Sequence, residues 1–456
     1  MRLSQSNLGA LPDCVIRPDY NSDVRGVGIV HFGIGAFHRA HMAAYTDDVM
    51  SARQGDWRIL GASLRSPTVR DQMSAQDALY SLIERSAAGN KMRVIGAVAD
   101  VIVATDDRER LVATIAAPTT YIVSFTITEK GYCRASDGTL DPALANQSSA
   151  YAYLAEAFRR RQAAGLPGLT LLSCDNLASN GAQLRRLMQE YLEHNAPDLA
   201  DWFQNNCTCP STMVDRIVPA TTDADRAEIE ALLGMRDEAA VVTEPFSQWV
   251  IEDDFAGLRP DWHLHGAQLT SDVHAFENAK LRMLNGAHSA LAYLGLQRGH
   301  DYVHQAMGDP ALAALMDRLM REEAANSLSS APGQDLAAYA DALIERFKNL
   351  ALNHRLIQIA MDGSQKIPQR WLETLAHHQK SVSQCPAILA GLGAWLCHIR
   401  GDNGFVDDPM AAILKAKWVE AGTAGIVPAL FGPTGPMASA WLPSEPDIRT
   451  IVSAIG

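Results

Sequence analysis

No stretch of this chain stays apolar for the ~20 residues that a membrane-spanning helix needs. The opening Met1-Arg2-Leu3-Ser4-Gln5-Ser6-Asn7 lacks the apolar core of a signal peptide. Both absences lead to the expectation of a cytoplasmic protein without a membrane partner. Paired cysteine is also missing. Cys14, Cys133, Cys174, Cys207, Cys209, Cys385 and Cys397 form an odd, scattered set that suits a reducing compartment better than a disulfide framework. Cys207-x-Cys209 is the one close pair. No second pair stands at zinc-site spacing and no His-Glu-x-x-His occurs, so no metal is expected. Positive charge is short as well: the net charge is −13, which argues against a nucleic-acid partner, because phosphate binding needs a basic face. Repeats and low-complexity segments are absent. What remains is the composition of a globular protein, 47% hydrophobic and 20% charged, and 456 residues exceed one ordinary core. Two domains are expected, with a small molecule as the partner.

Gly28-Ile29-Val30-His31-Phe32 is a short β-branched and apolar run, as a buried parallel strand would be. It enters Gly33-Ile34-Gly35-Ala36-Phe37-His38 and then a helical stretch through Met50. Strand, glycine turn and helix in that order point backbone N–H groups at a pyrophosphate. Gly33 permits the tight turn and Gly35 lets a phosphate approach. His38 stands where the usual fingerprint has its third glycine, and Gly-x-Gly alone is equally a structural turn. A second strand, Trp57 to Leu64, exits into Arg65 with no acid at its tip to hold ribose hydroxyls. Arg65 reads either as a contact for a 2′-phosphate or as a solvated side chain, so NAD is expected and NADP is not excluded. Further strands follow at Met92–Gly96, Val101–Ala104 and Tyr121–Ile127, the last running into Thr128-Glu129-Lys130-Gly131. Helical patterns between them predict a doubly wound, mostly parallel sheet of Rossmann type. Leu169–Cys174 is one more strand, stopping at Asp175-Asn176. In such sheets ligands bind beyond the carboxyl ends of strands. Asn176 is there, as a donor to a substrate oxygen or as a helix cap. Thr212–Pro219 places Asp215 and Arg216 inside an apolar strand, where charges need partners or a ligand.

From about Phe276 helical periodicity takes over. The domains are therefore set at 1–270, dinucleotide-binding, and 271–456, α-helical. Leu352–Arg370 reads as a helix broken at Gly363, with Lys366 and Arg370 near Pro368, and Gly425–Ala440 reads as loop. Phe276–Ala290 is proline-free and predicts a regular helix. At about 100° per residue, with Glu277 at zero, Lys280 falls at about −60°, His288 at about +20° and Asn285 at about +80°. Four polar groups then share a sector of about 140°, with apolar Leu284 inside it. Desolvation there lowers a lysine's pKa, and such an amine can take a proton from an alcohol. A solvated face carrying a Glu–Lys pair is the competing reading.

Lys280-x-x-x-x-Asn285-x-x-His288 resembles the signature of the polyol-specific long-chain dehydrogenases, the mannitol dehydrogenase family. Gly33–His41, Thr128–Tyr132, Ser173–Asn176, Val214–Pro219 and Glu244-Pro245-Phe246 resemble the same family, in the same order along the chain. Trp249–Phe255 and Gln358–Lys366 look most like its fructuronate reductases, also called D-mannonate oxidoreductases. The resemblance implies a nicotinamide-dependent, metal-independent interconversion of a secondary alcohol and a ketone. Lys280 is then the base in oxidation and the acid in reduction. Asn176 and Asn285 donate to the reacting oxygen, His288 orients the substrate, and Glu277 relays the proton. Gly33 to His38, Arg65, Thr128, Glu129 and Lys366 are the expected cofactor residues. Asp215, Arg216, Arg355, Gln358 and Arg370 are the expected substrate residues, and Lys366 also qualifies for a substrate carboxylate. Gln358 and Met361 replace the Arg and His that mannitol dehydrogenases carry there, which favours a sugar acid. A neutral-polyol dehydrogenase acting on mannitol or arabinitol is the alternative, and a cofactor-binding regulator without turnover is a third reading. A monomer or small homo-oligomer is expected.

Overall fold

Five apolar runs pair side by side as β1 (Val27–Phe32), β2 (Arg58–Ser63), β3 (Val98–Val103), β4 (Ile122–Phe125) and β5 (Thr170–Ser173). In this computed structural model, which describes residues 1–455 except 53, 54 and 352, their order is β3-β2-β1-β4-β5 and every neighbouring pair is parallel. Most of their residues are buried, which explains why they read as continuous apolar runs and not as alternating ones. This is the Rossmann order, and the sequence direction reverses between β1 and β4, beside Gly33.

The chain forms two compact units, Met1–Val273 and His274–Gly456. The parallel sheet is one of three in the first unit. An antiparallel hairpin, Tyr80–Ser86 with Gly89–Ile95, is inserted between β2 and β3 and carries Val15–Ile16 on one side and Val241–Thr243 on the other. Gln268–Thr270, Gln248–Glu252 and Thr212–Asp215 make the third sheet. The strand expected at Thr212–Pro219 stops at Asp215.

The second unit is helical around one core that includes Tyr293, Trp371, Trp395 and Trp441. One expectation fails there. Gly425 does not begin a loop: a helix spans Ala411–Phe431, kinked at Gly422 (φ 59°), because Ile426, Val427, Leu430 and Phe431 bury one face at helical spacing. The break expected at Gly363 is present: two short helices, Leu356–Ile359 and Gly363–Ile367, are separated by residues 360–362, with Asp362 in a left-handed conformation. Leu352 itself lies outside the described residues.

The helix expected over Phe276–Ala290 is not regular. Val273–Ala279 is α-helical, Lys280–Asn285 is a π turn, and Gly286–Gln297 is α-helical again. The π turn packs against two others, Leu319–Ala324 and Pro368–Leu372.

Candidate active site

In the first unit, the turn after β1 is built around Gly33, whose φ is +94°. Its N–H donates to the Ala62 carbonyl of β2 at 2.9 Å, and its own carbonyl accepts from the Thr126 hydroxyl at 2.5 Å. An added Cβ would stand 2.0 Å from the Thr126 carbonyl oxygen, so only glycine fits. At Gly35 the opposite holds: an added Cβ would meet nothing closer than 3.9 Å, and the space above the second glycine is open. That combination fits a dinucleotide phosphate approaching the backbone. Ile34 is buried, its side chain turned inward over Gly61. Ala36 and Phe37 are half-buried, and the Phe37 ring stacks on His41 at 5.0 Å.

His38 does not belong to the cofactor set. It is wholly buried, with its ring stacked 3.4 Å from that of His31, which is tied to Ser124 and Thr126. Burial and the neighbouring His31, Arg39 and His41 hold it well below the usual histidine range. The third glycine of the fingerprint serves close helix packing; here a flat, neutral ring fills that place.

Beyond β4 and β5 the organiser is Asp175, to which the sequence reading gave no role. Its carboxylate accepts from the Ile127 and Thr128 N–H groups at 3.0 and 2.9 Å and from the Tyr132 hydroxyl at 2.9 Å. Thr128 is held at φ +61°, a costly conformation for a β-branched residue and one that clusters at functional sites. Thr128, Glu129 and Asn176 are thereby displayed at the carboxyl ends of neighbouring strands, all exposed. Arg65, just past β2, is exposed too. Asp215 is buried at the end of its strand. Arg216 is not available to a substrate: it donates to the Ala40 and Glu244 carbonyls and pairs with Glu84 at 2.5 Å. The buried charge found protein partners, which the sequence pattern left open.

In the second unit the π turn changes the face arithmetic. An α-helix separates residues five apart by about 140°. An i→i+5 turn brings them together about as closely as residues four apart in an α-helix. Lys280 and Asn285, the first and last residues of the π turn, therefore share a face, and His288 lies one α-helical turn beyond Asn285. Lys280 and Asn285 are half-buried. Glu277 carries its carboxylate 3.4 Å from His274 Nδ1.

His288 is buried against the Phe347 ring at 4.5 Å and the His354 ring at 5.2 Å. Burial first, then His354, Arg346 and Arg370, holds its imidazole well below the usual range and hence neutral. Arg370 donates to the Asn285 carbonyl at 3.2 Å and to Ser289 Oγ at 2.7 Å. Lys366 turns its ammonium onto the Met361 carbonyl at 2.5 Å and lies 3.9 Å from Asp362. Arg355 and Gln358 are exposed, next to and one turn beyond His354. The only local signal for His354 in the sequence is its place beside Arg355. Among the described residues no three His, Cys, Asp or Glu side chains gather as a metal site would require.

The chain matches the family model of the mannitol dehydrogenase Rossmann domain over residues 27–264 and that of the mannitol dehydrogenase C-terminal domain over residues 272–426. D-mannonate oxidoreductase of Escherichia coli is 39% identical over 460 residues, covering 96% of this chain and 94% of that one. A crystal structure of D-sorbitol dehydrogenase in substrate-free form superposes with a TM-score of 0.92 at 32% identity, over 99% of this chain and 97% of that one. Pseudomonas fluorescens mannitol 2-dehydrogenase, solved as a ternary complex with NAD and D-mannitol, superposes at 0.78 with 34% identity, over 100% of this chain and 95% of that one. Fold and relatives together define an oxidoreductase acting on an alcohol CH–OH. Within that class, the chain belongs to the mannitol dehydrogenase family. No helix among the described residues is long and apolar enough to cross a membrane.

Proposed function

We propose that this protein is an NAD-linked reductase of a sugar acid, interconverting D-mannonate and D-fructuronate. The observation that carries the chemistry is the π turn that sets Lys280, Asn285 and His288 along one face. A nicotinamide held at the glycine turn from Gly33 to Phe37 would supply the acceptor for the hydride of the carbinol carbon. Lys280 takes the hydroxyl proton in oxidation and returns it in reduction, with Glu277 passing it onward. Asn285 and Asn176 donate to the reacting oxygen, whose negative charge grows as the proton leaves. His288, held neutral, adds no charge and orients a hydroxyl. The glycine turn from Gly33 to Phe37, with Thr128 and Glu129, holds the cofactor, and the absence of an acid after β2 leaves NADP admissible beside Arg65.

For the substrate, the support is a positive environment around His288. Arg346 and Arg370 both act on its ring, and an anionic substrate suits that field. Arg216 is tied up as described, and Arg370 and Lys366 donate to backbone carbonyls of their own unit. Arg355, exposed beside His354, is the best-placed guanidinium for a carboxylate. The similarity to D-mannonate oxidoreductase over nearly the whole chain points the same way. A neutral-polyol dehydrogenase is the second reading, favoured by the likeness to a complex with D-mannitol. The test is a panel of mannonate, fructuronate, mannitol and arabinitol with NAD(H) and NADP(H), followed by absorbance of the reduced cofactor. Turnover of mannonate and fructuronate is expected; turnover of the neutral polyols alone would reject the sugar-acid reading. Arg355→Gln should raise KM for mannonate about ten- to a hundredfold, the cost of one charged hydrogen bond.

A further inference from the structure

A π turn is an insertion that an α-helix accommodates only where the surroundings hold it, and such turns occur frequently at functional sites. The holder here is the neighbouring π segment, Pro368–Leu372. Arg370 Nη1 donates to the carbonyl of Asn285, the last residue of the turn, at 3.2 Å, and to Ser289 Oγ at 2.7 Å. Trp371 Nε1 donates to the carbonyl of Gly286, the first residue of the helix that follows, at 3.1 Å. Two adjacent side chains thus grip two consecutive carbonyls where the π geometry gives way to α. Trp371 is wholly buried, Arg370 is half-buried, and no carboxylate among the described residues pairs with Arg370. A half-buried cation without an acid partner relies on its hydrogen bonds to offset lost hydration.

We infer that Arg370 and Trp371 are positioning residues: they lock the exit of the π turn and so hold the Asn285 amide in register with the Lys280 amine. This rests on the roles proposed above for Lys280 and Asn285. The clamp acts through the main chain. A side chain's reach is set by its own Cα, and a displacement of about 1 Å at the reacting centre costs roughly a hundredfold in rate.

The test is steady-state kinetics of Arg370→Met and Trp371→Phe on the best substrate of the wild-type enzyme, with cofactor affinity read by fluorescence. Amide hydrogen exchange of residues 280–290 is measured beside it. The clamp requires kcat to fall about a hundredfold for Arg370→Met and about tenfold for Trp371→Phe, with KM within about threefold and cofactor affinity unchanged. Exchange over 280–290 should quicken in both variants. A rise in KM with kcat retained would make Arg370 a carboxylate ligand and overturn the inference, as would wild-type kcat and exchange in both. If Arg370→Met fails to fold, Trp371→Phe decides alone, and an unchanged kcat there overturns the clamp. A wild-type protein that turns over none of the four substrates sinks the proposed function instead. The exchange measurement still decides whether the clamp exists.

Discussion

Replacing Glu323 by glutamine should flatten the pH dependence of stability in a way that can be worked out beforehand. Glu323 lies on the π segment Leu319–Ala324 and is 1% exposed. Its carboxyl oxygens accept from the Ala387 and Ile388 N–H groups at 2.7 and 2.8 Å, in the first turn of the helix Pro386–Arg400. Those donors and Arg318, 3.8 Å away, favour the charged form, but burial outweighs them and pushes the carboxyl from 4.5 up to about 7. Between those two pH values the folded protein keeps a proton that the unfolded chain has released. Stability therefore declines as pH rises through that interval. At about 1.36 kcal/mol per pH unit, the interval from 4.5 to about 7 is worth about 3 kcal/mol. The glutamine variant loses one acceptor, a fixed cost of about 1 kcal/mol at every pH, and no longer titrates. Urea unfolding of both proteins from pH 5 to 8 isolates the effect, because the other titrating groups cancel in the difference. The wild type should lose about 3 kcal/mol relative to the variant across that range. A difference independent of pH, or one that moves in favour of the wild type as pH rises, would refute the reasoning and show an ionised carboxylate at that helix end.

Gly33→Ala forces a side chain into φ +94° with its Cβ 2.0 Å from a carbonyl oxygen. It should cost about 2–4 kcal/mol in thermal or urea unfolding and abolish cofactor binding by fluorescence titration. His288, held neutral by burial, should show no imidazole titration by NMR between pH 5 and 8. Its depressed pKa adds stability that is complete above the ordinary value of 6.5 and is lost as pH falls below it, so His288→Asn should lessen the acid sensitivity of unfolding.

What the sequence made legible was local. The run from Gly28 to Phe32 and the two glycines behind it announced a strand and a phosphate-sized turn, because φ and side-chain size at Gly33 and Gly35 are properties of those residues alone. Spacing and resemblance single out Lys280, Asn285 and His288 as candidates, but their geometry is not legible there. Spacing arithmetic assumed 3.6 residues per turn, and the π turn depends on donors about 85 residues later in the chain, at Arg370 and Trp371. His38 misled for a related reason: its place in the turn suggested a cofactor contact, while its burial is decided by His31 on the strand beneath. The sequence marks Arg216 as a charge in need of a partner, yet the partners Glu84, Ala40 and Glu244 lie far from it in sequence. Asp175 was visible in its motif, but its grip on Thr128 depends on two strands lying side by side.

In the proposed reaction the amine of Lys280 exchanges a proton with the substrate hydroxyl. Lys280→Met, assayed with mannonate and NAD beside a cofactor-binding titration, tests it directly. kcat should fall by about 10²–10⁴-fold while cofactor affinity stays at the wild-type value. A variant that oxidises mannonate at the wild-type rate would contradict it.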